Sequence, residues 1–437
     1  MALPHPAALR SAAPPPARPL SSRDRLIMEI AGLGPDPRLH LGTLLTFPGR
    51  APGPDRLAEH LRERLPALPE LTLRPDARRR RWEPAPAFDV RDHVHALTVP
   101  GDLLADPATA LDAVLDQPLD HTRPLWGLWI VGSATADGFA LAYRAHHAFQ
   151  DGRAVTETVD LLLGPPSGRT PGRAPGRPAG TAAPAPRAPR GSALAAALRE
   201  DLLPRQRHRP TDWPPARQPA AGARRAVLGT YDLGRLHALT RRTGAGTSHL
   251  TLAVLTGALR AWHPDTWRDA PAPLPATFAL SVRAPDDPYR LLGNRGAVAV
   301  LPLPCQQPSP AARLESLRAE ASAARLADLA RRHSALFDRL PHWCARKGLK
   351  RTIDARRVPL ALADVRLRAD PTWQGTPARH VHLIPPSVPG QPLFAAWTTH
   401  RRQLRLTFLA DTALPGLDAL PGHFDRALTE LDAATAP

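Results

Sequence analysis

The chain has 437 residues, more than one ordinary hydrophobic core contains, so its length predicts two domains or two similar halves. It has no run of 18 consecutive apolar residues and only two cysteines, which excludes a membrane-spanning helix and a disulfide-built domain. The net charge of +17 suggests a nucleic-acid partner, but the basic residues are almost all arginine in a chain rich in alanine and proline. A GC-rich coding bias produces this composition, so we expect no nucleic-acid partner.

The first predicted segment, residues 1–20, is rich in proline and alanine and has no continuous hydrophobic stretch. We expect it to be disordered and not to be a secretory leader. The first folded half is expected to span residues 21–163. The two cysteines, Cys305 and Cys344, are far apart without metal-ligand spacing, which indicates a reducing, cytoplasmic compartment and no metal site.

A strand followed by a helix is predicted in the middle of this half. The short apolar run 139–145 is typical of a buried strand, and Gly152 followed by Val155 and Val159 predicts a turn into an amphipathic helix. Between the two elements the chain reads His-His-Ala-Phe-Gln-Asp-Gly, starting at His146. The histidines are therefore expected at the end of a strand, where a rigid element can orient them.

This motif is the strongest candidate for chemistry. An imidazole titrates near neutral pH, so His146 or His147 can take a proton from a hydroxyl, thiol or amine that attacks a carbonyl. Adjacent residues of a strand point to opposite faces, so only one of the two can readily face a site. A single histidine beside a strand is more often packed than catalytic, but Asp151 and Gly152 at fixed spacing favour the catalytic interpretation.

Residues 164–225 form the clearest boundary in the sequence. They are rich in Pro, Ala, Gly and Arg, and 12 arginines against three acidic residues give this segment +9 of the net charge. Such a composition cannot bury enough apolar area to offset its conformational entropy, so we predict a flexible linker. Its function is predicted to be a tether; the alternative is a basic arm that contacts an anionic membrane or the phosphates of coenzyme A.

The second half, 226–437, alternates strand and helix signals, which predicts an α/β fold with two halves facing each other across a channel. Thr247 or Ser248 is a suitable cap for one of its helices. The predicted elements are strands at 226–233, 296–303 and 404–409 and helices at 234–239 and 248–260.

The motif resembles the signature of the acyltransferases built like chloramphenicol acetyltransferase and of the condensation domains of nonribosomal peptide synthetases. Further segments are similar to blocks of the bacterial wax ester synthase/diacylglycerol acyltransferase family: His40-Leu41-Gly42, Phe88-Asp89-Val90-Arg91-Asp92-His93-Val94, Pro118-Leu119-Asp120-His121-Thr122-Arg123-Pro124-Leu125-Trp126, Leu280-Ser281-Val282-Arg283 and Gly293-Asn294-Arg295. This resemblance implies an α/β fold of two chloramphenicol acetyltransferase-like halves, which form a pseudo-dimer with a central active-site channel.

The resemblance also implies roles for residues. In the family the second histidine is the base, so His147 takes that role and His146 a structural one within the catalytic motif. Asp151 resembles the family aspartate that shapes the site through an arginine, and Arg283 is the candidate partner. Gly152 is expected to let backbone approach closely where a side chain would block the channel. For Asn294 two roles are expected as alternatives: it donates a hydrogen bond near the acyl carbonyl, or it caps a loop.

The chain departs from the family pattern at two places in its second half. A helix that usually opens with Asn-Asp here opens with Ser248-His249, and the stretch 363–367 replaces Asn-Val-Pro-Gly-Pro. Neither change touches the histidine motif. An altered acceptor or donor is therefore expected rather than lost chemistry.

The predicted function is that of an acyl-CoA-dependent O-acyltransferase in lipid metabolism. It would join a fatty acyl thioester to a hydroxyl acceptor such as diacylglycerol or a long-chain alcohol, with acyl-CoA as co-substrate and no cofactor. One alternative is a condensation-type acyltransferase that uses a carrier-protein thioester or a specialised-metabolite acceptor. Another is a non-catalytic lipid- or partner-binding relative. We expect a cytoplasmic protein, with peripheral contact to the inner membrane surface or to a lipid droplet as a further possibility.

Overall fold

The computed structural model describes residues 15–32, 39–164, 213–217, 222–268, 272–283, 287, 290–337 and 340–436. The strands in this part of the chain are β1 (Arg18–Pro19), β2 (His40–Phe47), β3 (Leu73–Asp76), β4 (Arg81–Pro84), β5 (Val94–Val99), β6 (Trp126–Ser133), β7 (Phe139–His146), β8 (Arg224–Asp232), β9 (Leu274–Ser281), β10 (Gly296–Leu303), β11 (Leu360–Asp364), β12 (Thr372–Trp373), β13 (Thr376–Pro377), β14 (His380–Ile384), β15 (Leu393–His400) and β16 (Gln403–Asp411). The helices are α1 (Ser22–Ala31), α2 (Pro54–Arg64), α3 (Pro107–Leu115), α4 (Gly152–Leu163), α5 (Leu233–Thr243), α6 (Thr247–Trp262), α7 (Pro310–Glu320), α8 (Ala323–Phe337), α9 (His342–Thr352) and α10 (Leu420–Ala434).

Two main sheets organise the described residues. The first has the order β14-β2-β7-β6-β5, and the second has the order β10-β9-β11-β15-β16-β8. Both are mixed: β5 pairs with β6 in parallel, and β11 pairs in parallel with β9 and with β15. The predicted strand at 139–145, the helix after Gly152 and the strand at 296–303 are all present.

The alternation of large and small residues along β7 explains how the sheets stack. Leu141 and Tyr143 point into a core on the outer side of the first sheet, whereas Ala140 and Ala142 point toward the second sheet. Alanines of β11 and β15 meet them there, in a cluster that both sheets share. Small side chains at this contact let two sheets from different halves approach closely.

One strand crosses between the halves. Strand β14 follows 154 residues of second-half sequence, 226–379, but pairs antiparallel with β2, with His380 opposite Thr46 and Ile384 opposite Gly42. The chain then returns to the second sheet as β15. The sequence division at 163 and 226 therefore does not separate the two sheets, because β14 is hydrogen-bonded to the first half.

Two predicted boundaries need correction. Disorder was expected through residue 20, but Arg18–Pro19 pairs with β4 and Leu20 is buried. The linker was expected to end at residue 225, but Trp213 is buried in the second-half core against Trp262, and β8 starts at Arg224. The rest of these two predictions, at residues 1–14, 165–212 and 218–221, lies outside the described residues.

In the described part of the chain, no helix has both the length and the apolar character needed to cross a membrane.

Candidate active site

A cavity of about 370 Å³ lies between the two halves, and the motif residues His147, Asp151 and Gly152 line it. Its wall is mostly apolar and comes from both sheets, from the start of α4 and from helices α1 and α9. Leu41, Ile384 and Phe394 are examples of its apolar lining. Of the two motif histidines, His147 lines this cavity, and His146 does not.

The backbone places His147 just beyond the end of β7. Its N–H donates to the carbonyl of Leu39 across 2.8 Å, so the residue still pairs with the chain that leads into β2. Nearby, Gly42 allows the strands to lie this close: a Cβ at that position would lie 1.9 Å from the carbonyl oxygen of Tyr143. Only glycine fits there, which gives the His-Leu-Gly segment a structural reason.

The hydrogen bonds around the ring of His147 decide its tautomer. The carbonyl oxygen of Gln150 lies 3.3 Å from Nδ1, and a carbonyl can only accept. The amide nitrogen of Asn294 lies 3.1 Å from the same Nδ1, but it also lies 3.2 Å from the carbonyl oxygen of His147, to which it donates. We therefore assign the proton to Nδ1. The lone pair of Nε2 is then available as a proton acceptor.

The charge state of His147 suits a base. Burial lowers the pKa of its imidazole, while the Asp151 carboxylate and the carbonyl oxygen of Gln150 raise it. The net direction is downward, so the ring is neutral at pH 7.

His146 has a different environment. Its Nδ1 accepts the backbone N–H of Ala148 at 3.1 Å, and its ring contacts those of His40 and His121 edge-on. Burial lowers its pKa to about 3. The structure thus gives this imidazole a packed position away from the cavity.

Asp151 joins the two halves. One carboxylate oxygen accepts the N–H of Ala154 at 2.9 Å and so caps α4; the other accepts Arg283 at 2.7 Å and the N–H of Arg295 at 2.8 Å. Burial would raise the pKa of Asp151, but the Arg283 guanidinium and these hydrogen bonds hold it below its usual value. The structure therefore brings together the aspartate and the arginine that the resemblance paired.

Gly152 and Asn294 also lie at the cavity. A Cβ on Gly152 would lie 3.2 Å from a methyl group of Val365, so a side chain there would press on the residue that follows β11. The amide of Asn294 is held on both sides: its nitrogen faces His147, and its oxygen accepts the N–H of Gly296 at 2.7 Å. This amide is thus engaged by the protein and supports the backbone of His147.

Sequence reasoning missed Asp24. Its buried carboxylate accepts the N–H of Asn294 at 2.8 Å, the N–H of Ser21 at 2.9 Å and the indole N–H of Trp82 at 3.3 Å. Asp24 therefore holds residue 294 as Asp151 holds residue 295. Gly293, which directly precedes Asn294, has φ of +75°, a conformation that favours glycine. The Ser-x-x-Asp spacing at 21–24 is a sequence signal of a helix start, but it does not reveal this long-range contact.

The prediction that Thr247 or Ser248 caps α6 was wrong. Gly246 occupies the cap position, and no side chain caps this helix. The hydroxyl of Ser248 instead donates to the carboxylate of Asp364 at 2.5 Å. Asp364 lines the cavity with its side chain 13% exposed, and Arg366 approaches it at 3.8 Å. The two places where the chain departs from the family pattern are therefore in direct contact.

Family models match most of the chain. Residues 20–248 match the wax ester synthase/diacylglycerol acyltransferase catalytic domain, and residues 292–432 match the C-terminal domain of the same family. A Mycobacterium tuberculosis protein, provisionally named a diacylglycerol O-acyltransferase, is 31% identical over 150 residues, covering 30% of this chain and 33% of that protein. A Mycobacterium bovis protein with the same provisional name is 26% identical over 267 residues, covering 54% of this chain and 53% of that protein. The chain thus spans between a third and about half of the length of these curated relatives.

Solved structures share the fold over nearly the whole chain. The wax ester synthase/diacylglycerol acyltransferase of Marinobacter aquaeolei VT8 has a TM-score of 0.63 at 17% identity and covers 95% of this chain and 99% of its own. The starter condensation domain of rhizomide synthetase, solved in complex with C8-CoA, has a TM-score of 0.65 at 15% identity and covers 96% of this chain and 95% of its own. The predicted fold class is confirmed.

Proposed function

Because this chain belongs to the wax ester synthase/diacylglycerol acyltransferase family, we propose that it transfers a fatty acyl group from acyl-CoA to the hydroxyl of a lipid acceptor, such as diacylglycerol or a long-chain alcohol. The observation that supports this most is the position of His147, a neutral imidazole on the wall of an apolar cavity that both halves form. A base in such a cavity can meet two lipid substrates from different sides. The donor and the acceptor need no covalent link to the protein.

In the proposed reaction, Nε2 of His147 takes the proton of the acceptor hydroxyl while the oxygen attacks the thioester carbonyl. The carbon–oxygen bond forms, and the electron pair of the carbonyl moves to its oxygen. When this intermediate collapses, the carbon–sulfur bond breaks and the thiolate of coenzyme A takes the proton from the imidazolium. The base is thereby restored, and acyl-CoA is consumed as a co-substrate.

The neighbouring residues position His147. The carbonyl oxygen of Gln150 holds the ring, Asn294 donates to the backbone carbonyl of His147, and Asp151 with Arg283 fixes the loop and the first turn of α4. Neither cysteine is assigned a step. Cys305 is fully buried, and burial raises the pKa of its thiol, so it is a poor nucleophile.

The test is acyl transfer by the purified chain. Acyl-CoAs of C8 to C18 would be offered with a diacylglycerol, with long-chain alcohols and with a carrier-protein thioester as competing donor, and products would be identified by mass spectrometry. Ester formation from acyl-CoA, abolished in His147→Ala and retained in His249→Ala, supports the proposal. Transfer only from the carrier protein would favour a condensation-type enzyme. Acyl-CoA binding without transfer to any acceptor would favour a non-catalytic lipid-binding protein.

A further inference from the structure

Helix α9 exposes one unusual face. Its residues Trp343, Arg346, Lys347 and Lys350 are exposed, and their spacing of three, four and seven places them on one side of the helix. The helix has no acidic residue. The result is a stripe of one indole and three cations, which we call the Trp343 face.

The composition of this face is unlike that of the rest of the chain. Trp343 is 69% exposed, whereas the other eight tryptophans are buried: Trp82, Trp126, Trp129, Trp213, Trp262, Trp267, Trp373 and Trp397. Lys347 and Lys350 are the only lysines of the sequence. An exposed indole costs hydration free energy unless something covers it, and indole rings prefer the boundary between water and lipid.

The opposite face of α9 belongs to the cavity. Ala345 packs against Leu26 and Ile30 of α1, and Leu349 lines the cavity itself. A surface that covers the Trp343 face would therefore lie one helix diameter, about 10 Å, from the cavity.

The charges around the helix indicate the nature of that surface. Among the described residues, Glu29 is the acidic side chain that pairs with α9, at His342 and Arg346. Within the described ranges neither lysine has such a partner, so the face keeps an excess of positive charge directed outward. Lysine and arginine beside a tryptophan on an amphipathic helix are typical of helices that lie in the surface of an anionic bilayer.

We propose that the Trp343 face docks this chain on an anionic lipid surface, with α9 lying parallel to that surface and Trp343 inserted among the headgroups. The cavity would then receive apolar substrates from the lipid without their passage through water. Docking is separate from acyl transfer, so vesicle binding can be measured whether or not the chain transfers an acyl group.

The tryptophan distribution makes a direct experiment possible. The full chain would be mixed with vesicles of 30% phosphatidylglycerol in phosphatidylcholine, with and without brominated acyl chains, and tryptophan fluorescence would be measured. Because the other eight indoles are buried, quenching by the bromines reports on Trp343. We expect quenching that falls with added salt and is absent with pure phosphatidylcholine.

Variants separate this face from the general charge of the chain. Lys347→Gln/Lys350→Gln should weaken vesicle binding roughly 10-fold or more, and Trp343→Ser should remove the quenching. The matched control is Arg62→Gln/Arg241→Gln, which removes the same charge from exposed helical positions elsewhere. Unchanged thermal melts would show that the variants fold. Three results would overturn the proposal. They are vesicle binding without quenching, an equal loss of vesicle binding in the control variant, and binding of an acidic protein or a DNA duplex but not of vesicles.

Discussion

The hydroxyl of Ser248 donates to the carboxylate of Asp364 across 2.5 Å, joining the start of α6 to the end of β11 at the cavity wall. A carboxylate in an otherwise apolar wall must lose hydration when an apolar chain fills the cavity. The pair therefore sits where it can influence which acceptor binds.

The first prediction concerns this pair. Asp364→Asn keeps the shape of the side chain but removes its charge, so we expect KM for a long-chain alcohol to fall about three- to tenfold, because less hydration is lost on binding. Ser248→Ala should act in the opposite direction, since it leaves the carboxylate with one donor fewer. Steady-state kinetics with a series of alcohols would measure both effects. Equal KM values in all three proteins would contradict the prediction.

The second prediction concerns the base. His147→Ala should lower kcat by roughly 10²–10⁴-fold with little change in fold, the range for loss of a general base. His146→Ala should mainly reduce the melting temperature, because that ring is packed and not in the cavity. Rates and melts of both soluble variants provide the check. Nearly full activity of His147→Ala would refute the assignment.

The third prediction concerns pH. The proposed reaction needs the neutral imidazole of His147, and burial lowers its pKa from the ordinary value of 6.5. We therefore expect kcat/KM to be constant between about pH 7 and 8 and to decline only at a pH below about 6.5. Asp151→Asn removes a charge that raises this pKa, so the decline should move to still lower pH. A decline centred above pH 7 would be inconsistent with this environment.

The fourth prediction concerns the buried ion pair of Asp151 and Arg283. Either Asp151→Asn or Arg283→Met should cost about 3–5 kcal/mol, because each leaves a buried charge without its partner. The losses in the double variant should be clearly smaller than their sum. Denaturant unfolding of the four proteins measures this coupling, and additive losses would show that the pair does not interact.

The same pair has a pH signature. The folded pKa of Asp151 is held below its ordinary value of 3.8. Its contribution to stability is therefore complete above the unfolded pKa and is lost as the pH falls through the lower folded pKa. In Arg283→Met, the free energy of unfolding should lack this part of its decrease at acid pH.

The fifth prediction concerns Asp24. Asp24→Asn offers an amide N–H where the carboxylate accepts from backbone and indole donors, so it should displace Asn294 and lower kcat roughly 10- to 100-fold. Ser21→Ala is the control: it removes the cap of α1 at a cost of about 1 kcal/mol but leaves Asp24 in place. Equal kcat in the two variants would exclude a positioning role for Asp24.

The local parts of the site were predictable from the sequence. The unbroken apolar run of β7, which is buried along its whole length, and the helix that follows Gly152 are local patterns, and the strand at Gly296–Leu303 was predicted with the observed bounds. These predictions succeed because the length and spacing of apolar residues along a segment report how that segment is buried.

The long-range parts were not. Periodicity indicates that His380–Ile384 is buried but not which sheet it joins, because a strand in either sheet shows the same pattern. The capping expectation failed for a similar reason: Ser248 has a carboxylate acceptor 116 residues away, and propensity rules consider only neighbours along the chain. Asp24 was missed because its partner is 270 residues away.

Strand β14 comes from the second half in sequence but belongs to the sheet of the first half, so the two halves depend on each other. Hydrogen bonds of the β14–β2 ladder and the alanine-rich contact between the sheets hold the second half to the first. A chain cut between residues 164 and 213 would still be fastened by this ladder, so its two fragments would remain one particle. Neither fragment would be complete alone, because the first would expose the edge of β2 and the second would carry an unpaired strand. We therefore expect the two fragments to depend on each other for a complete fold, as the subunits of an obligate heterodimer do.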